Sequence, residues 1–177
     1  MAGAPVGGEK ISLILWKVGL AMCALNFSCA VATGGRIGGV VRSRKATPSV
    51  GVSVGALFGI ETESVSIRAR IRGDVFKEGT SVAGGLEFGQ IPLTFSTDKN
   101  LGWRRHIGWR SYLQIGTVVD VDGAAVIVGG AAVFGIPIRA GNTFFAAVLS
   151  AESDVGHGFA PAALLEIEVV HMTFMDE

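Results

Sequence analysis

The strongest constraint on this chain is a period of two. Val50, Val52, Val54, Ala56 and Phe58 alternate with Ser49, Gly51, Ser53, Gly55 and Leu57. Val65, Ile67, Ala69 and Ile71 alternate with Ser64, Ser66, Arg68, Arg70 and Arg72. Leu113, Ile115, Val119 and Val121 alternate with Gln114, Gly116, Asp120 and Asp122, with Thr117 on the apolar side. Successive side chains of a strand point to opposite faces, so each segment has one apolar face and one polar or small face. β-branched residues are abundant, as strands prefer. After residue 33 no stretch carries the spacing of an amphipathic helix.

Turn residues divide these segments. Asp122-Gly123 and Gly141-Asn142 suit tight hairpins, because Gly accepts a positive φ without steric cost. Lys77-Glu78-Gly79 and residues 96–100 read as loops. The expected strands are 36–42, 49–59, 64–75, 81–96, 109–121, 124–138, 143–153 and 161–174. Pro92 interrupts the fourth, which allows nine strands instead of eight. The fold class is therefore all-β and antiparallel. About eight strands form one domain over residues 33–177.

The preceding segment has a different character. Residues 11–32 are apolar apart from Lys17 and Asn26, and the stretch ends in Ala30-Val31-Ala32. A basic start, an apolar run and a small-x-small end describe a secretory signal peptide over residues 1–32, cut after Ala32. A retained helical anchor is the alternative, since about 20 apolar residues span a bilayer. Lipidation at Cys29 is a third reading, from Ser28-Cys29. Both cysteines, Cys23 and Cys29, lie in this segment, so the chain beyond it has neither a disulfide framework nor a thiolate metal site. The formal net charge is zero, which argues against nucleic acid as a partner.

Eight antiparallel strands either close into a barrel or pack as two sheets. The row Arg68, Arg70 and Arg72 bears on the choice. Three arginines on one strand face repel unless carboxylates meet them, and Glu87, Asp120, Glu166 and Glu168 on other strands can supply the pairing. A small barrel with this network inside is one reading. An open sheet with a solvated charged face is the other, and such pairs contribute little there. Segments 124–138 and 143–151 are apolar on both faces, which suits a doubly buried strand or a narrow, filled barrel.

The signal-like start, the alternating segments and the phenylalanines near strand ends (Phe58, Phe76, Phe88, Phe95, Phe145 and Phe174) make the chain resemble small outer-membrane β-barrel proteins. The resemblance covers residues 36–174 and is one of pattern. It implies an eight-stranded barrel in a Gram-negative outer membrane. Two features depart from the pattern: Tyr112 is the only tyrosine, and Met175-Asp176-Glu177 follow the last aromatic residue.

No arrangement of residues announces chemistry. His106, His157 and His171 are isolated, without metal-ligand spacing. Ser153, Asp154 and His157 are close in sequence but lack a nucleophile elbow. The paired glycines precede no Gly-Lys-Ser/Thr and are not phosphate loops. No catalytic, cofactor or metal residue is expected. The most distinctive stretch is Trp103, Arg104, Arg105, Trp109 and Arg110, since Arg binds phosphate and Trp prefers a membrane interface. It reads as an anionic-lipid contact or an interface anchor, with membrane lipid as partner and no protein partner indicated.

The expected role is that of an exported, non-catalytic envelope barrel, structural or surface-interacting. The alternatives are a soluble secreted β-sandwich, as binding module or assembly subunit, and an envelope enzyme using residues 153–157. Replacing Arg104 and Arg105 by Ser should weaken binding to anionic liposomes; unchanged binding removes the lipid contact.

Overall fold

Alternation gives every strand two unlike faces, and the chain reconciles them by closing on itself. The computed structural model describes residues 29–44, 47–62, 65–90, 107–117, 123–155 and 161–174. The strands are β1 Cys29–Arg44, β2 Thr47–Thr62, β3 Ser66–Phe76, β4 Gly79–Gln90, β5 Ile107–Thr117, β6 Ala124–Ala140, β7 Thr143–Val155 and β8 Pro161–Phe174. Each pairs antiparallel with its neighbour in sequence, and β8 pairs with β1. The result is a closed barrel, so the backbone donors and acceptors of the edge strands are used within the wall. The two-sheet sandwich is thereby excluded, because β8 completes its ladder on β1.

The register sets the dimensions. From Ala30 the paired residues run through Glu61, Ser66, Gly89, Arg110, Ala131, Ser150 and Leu164, and return to β1 at Val40. One circuit therefore advances ten residues along β1. With a rise of about 3.3 Å per residue and strands about 4.8 Å apart, this stagger tilts the strands by roughly 40°. The corresponding backbone radius is about 8 Å, enough to be filled by side chains.

The strand order follows the alternation closely, and β8 occupies the expected residues. The main difference is β1, which begins at Cys29 and not at 36. Ala30-Val31-Ala32 obeys two rules at once: small-x-small suits a peptidase pocket, and it also suits a strand whose inward residues meet a crowded interior. Ala30 and Ala32 are buried in one cluster with Leu57, Tyr112, Phe144 and Met172. A cut after Ala32 would fall inside β1. Cys29 is itself buried at the start of this strand. Residues 1–28 of the expected 1–32 leader and the expected strand ends at 91–96 and 118–121 lie outside the described residues.

The strands that are apolar on both faces fill part of the interior. Ile127, Ala131 and Val133 of β6, with Phe144, Ala146 and Val148 of β7, point inward and are buried. The hairpin glycines behave as their sequence context suggests: Gly123 has φ 92° and Gly141 has φ 61°, values that L side chains adopt only with strain.

Several glycines are required by close approaches, and Gly129 is the one that faces the Tyr112 ring. Gly129 stands between Tyr112 and Glu152 in the ladder. A Cβ there would lie 2.5 Å from Cζ of Tyr112, so the missing side chain is the space the phenol occupies. Gly39, by contrast, has nothing within 4 Å of a Cβ. Gly129→Ala should destabilise the barrel by about 1–3 kcal/mol through overpacking. Gly39→Ala should change little. Denaturant unfolding of detergent-refolded protein, followed by circular dichroism, checks both.

Candidate functional site

The faces of the wall are divided by charge. Among the strand residues whose side chains are described, the outward positions carry no Asp, Glu, Lys or Arg, and His171 is the one titratable side chain there. Outward residues are mostly Val, Ile, Leu, Phe, Ala, Gly and hydroxyls, with Trp109, Gln90, His171 and two prolines among them. Ile37, Val54, Ile71, Leu86, Leu113 and Leu165 are at least half exposed. The interior is the reverse. It buries Arg36, Arg42, Arg68, Arg70, Arg72 and Arg110 together with Glu61, Asp74, Glu87, Glu152, Asp154, Glu166 and Glu168.

Apart from Asp154, these charges form two connected groups. In the larger, Glu168 is the hub. Arg110 donates to it from both terminal nitrogens, at 2.5 and 2.9 Å. Arg36 donates from Nε at 2.5 Å and Arg68 from Nη1 at 2.9 Å. Arg36 also forks onto Glu87, at 2.8 and 2.6 Å. Arg70 bridges Glu87 at 3.1 Å and Glu166 at 2.7 Å, and Arg68 reaches Glu61. Ser53 donates to Glu166 at 2.9 Å. In the smaller group, Arg72 forks onto Glu152 with both distances 2.6 Å. Arg42 and the Tyr112 hydroxyl donate to the same carboxylate at 2.9 and 3.0 Å. Arg72 also lies 3.0 Å from Asp74.

Several of these pairs join strands that are not neighbours in the wall. Arg36 on β1 meets Glu87 on β4, Arg72 on β3 meets Glu152 on β7, and Arg110 on β5 meets Glu168 on β8. Such bonds cross the barrel interior and tie opposite walls together. A buried charge without a partner costs on the order of several kcal/mol, and forked Arg–carboxylate pairs are the geometry that best offsets that cost.

The structure brings Arg68, Arg70, Arg72, Glu87, Glu166 and Glu168 together, as the charge row suggests. Asp120 lies outside the described residues. Arg36, Arg42, Glu61, Asp74, Arg110, Glu152 and Tyr112 join the network without having been singled out for it. Their parity was the available signal, since each shares the inward alternation of its strand.

The expected lipid-contact cluster divides. Trp103, Arg104 and Arg105 lie outside the described residues. Trp109 faces outward and is half exposed, whereas Arg110 is buried and bound to Glu168. Arg110 is therefore corrected from a lipid contact to an interior charge: adjacent strand residues point to opposite faces, so both cannot face lipid. Phe76 is likewise inward and buried.

The sequence neighbours Ser153 and Asp154 also separate. Ser153 is on the outer face, while Asp154 is buried inside. His106 and His157 lie outside the described residues. His171 is exposed on β8, with Nδ1 3.2 Å from the Thr143 hydroxyl. Among the described residues no group of three His, Cys, Asp or Glu could hold a metal ion.

Closure, the charged interior and the uncharged exterior define the class: a small, filled, antiparallel eight-stranded barrel. No protein-family model matches the chain, and no curated protein does. Among solved structures, the crystal structure of Neisserial surface protein A is similar with a TM-score of 0.58 at 10% identity, covering 80% of this chain and 97% of that one. The Yersinia pestis outer membrane protein Ail, determined in a phospholipid bilayer nanodisc, aligns with a TM-score of 0.40 at 9% identity over 83% of this chain and 99% of that one.

Glu168→Gln removes the negative charge shared by three arginines and should cost about 3–5 kcal/mol, the usual effect of breaking a buried pair. Glu78→Gln, in the exposed β3–β4 turn, should leave stability unchanged within about 0.5 kcal/mol. Denaturant unfolding in detergent measures the difference.

Proposed function

We propose that this chain is an exported barrel of the bacterial outer membrane, non-catalytic, whose role is structural or one of contact at the membrane surface. The observation that carries the reading is the inverted charge distribution. A soluble protein does not expose apolar residues around its whole wall while spending its charges inside. A bilayer rewards that arrangement, because lipid tails face the apolar wall and, among sheets, only a closed one satisfies every backbone group in hydrocarbon. A shell of lipid is the partner that such a wall requires.

A filled interior favours a structural element over a wide pore. The connections at the end away from the termini point the same way. They span residues 45–46, 77–78, 118–123 and 156–160, short links for gripping a large partner. The apolar leader fits a signal peptide, and the start of β1 favours processing N-terminal to Cys29. Trp109, with Trp103, Arg104 and Arg105 on the β4–β5 connection, fits an interface anchor.

Cell fractionation of tagged full-length protein, with intact-mass analysis of each fraction, tests this reading. The expected product is a detergent-dependent species in the outer-membrane fraction, heat-modifiable on gels and lacking the leader. A detergent-free soluble product would overturn the reading.

A further inference from the structure

The interior charges are sorted by their place along the chain. Among the inward residues whose side chains are described, every arginine lies on β1, β3 or β5: Arg36, Arg42, Arg68, Arg70, Arg72 and Arg110. The stretch β1 to β5 supplies three inward carboxylates, Glu61, Asp74 and Glu87. β7 and β8 supply Glu152, Asp154, Glu166 and Glu168, with no inward cation among their described residues. The first five strands therefore make a sheet with a cationic inner face, and the last hairpin has an anionic one.

Every one of these arginines reaches a carboxylate of that hairpin. Glu168 meets Arg36, Arg68 and Arg110, Glu166 meets Arg70, and Glu152 meets Arg42 and Arg72. Arg110 comes within 3.9 Å of Glu87 but forms its hydrogen bonds with Glu168. Neither half can neutralise itself. Arg68, Arg70 and Arg72 follow one another on one face of β3, and Glu166 and Glu168 do so on β8. Each row repels internally until the other faces it. The β1–β8 ladder also joins the two ends of the described chain, as in the pairing of Ala30 with Phe174. Contacts so distant in sequence form late, because the entropy of closing the loop has to be offset first. The hairpins from β1 to β4 pair locally and have no such delay.

We propose that closure of this barrel is electrostatically ordered: β1 to β5 assemble as a sheet with a cationic inner face, and the β7–β8 hairpin is drawn onto it as an anionic clasp. Glu152, Glu166 and Glu168 then serve the closing step as well as the stability of the finished barrel. The proposal concerns the interior and holds whether lipid or detergent surrounds the wall. The attraction has a measurable range. Charges are screened beyond about 10 Å in 0.1 M salt and beyond about 3 Å in 1 M salt. Faces separated by a barrel radius of about 8 Å attract in the first condition and not in the second. Salts that strengthen apolar burial act in the opposite direction, so the sign of the salt effect identifies its cause.

The test is refolding of the full chain from urea into uncharged dodecyl maltoside micelles. Pyrene attached through Val41→Cys and Ala163→Cys, outward residues paired across the β1–β8 seam, reports closure by excimer emission. Cys23→Ala and Cys29→Ala remove the native thiols. Circular dichroism reports strand formation in the same sample. Excimer formation should slow about tenfold between about 0.1 M and 1 M NaCl, the low end of charge-steered association, while the circular dichroism phase changes less than about twofold. Glu166→Gln should slow closure in dilute salt and match the parent chain in concentrated salt; the parent's salt series decides alone should this variant fail to fold. A closure rate that salt leaves unchanged or raises would overturn the proposal, as would equal slowing of both phases. Strand circular dichroism without excimer emission at any salt concentration would overturn the β1–β8 seam itself.

Discussion

The structure depends on one requirement: each guanidinium inside a barrel about 8 Å in radius has to meet a carboxylate. Glu168 meets three, and Glu152 meets two arginines and a phenol. These are hydrogen-bonded contacts with defined direction, so they specify which walls face each other and not merely that charge is neutralised. The pairs between β1 and β4, β3 and β7, and β5 and β8 act as struts across the lumen. An apolar filling of equal volume would serve stability as well. The ionic filling adds a penalty for every register in which a charge loses its partner, because a one-residue slip would turn the arginine row of β3 outward.

The wall and its contents are matched in size. The ten-residue stagger sets the tilt and radius. Within that radius long side chains need small ones opposite. Tyr112 lies against Gly129, and Arg68 packs beside Gly59, where a Cβ would lie 2.7 Å from its Cγ. The glycine-rich composition is therefore largely interior carpentry and hairpin geometry. The same narrowness lets inward apolar residues of β6 and of the first half of β7 serve as core while β1, β2, β3, β4, β5, β8 and the second half of β7 contribute charges. This is why segments apolar on both faces coexist with a charged lumen.

Alternation made most strands legible, including β8 in full and the arginine row of β3. Other elements were hidden because one pattern serves two purposes. Ala30-Val31-Ala32 satisfies both a cleavage motif and a small-residue strand, and only pairing with β2 and β8 distinguishes them. Arg110 sits in a run of arginine and tryptophan that suggests lipid, yet its parity with Tyr112 and Gln114 turns it inward. Glu152 is near the end of the expected strand 143–153 with no feature that marks it, and it becomes a hub only because β7 crosses opposite Arg72.

The sequence by itself determined the strand-forming segments, the face each residue takes and the hairpin glycines, because period-two alternation and positive-φ preferences act locally. It also determined that one face would be free of charge. Tertiary structure decided whether that face would look inward or outward and which carboxylate would meet which arginine. Those outcomes depend on closure and stagger, and both are properties of all eight strands together that no local stretch encodes.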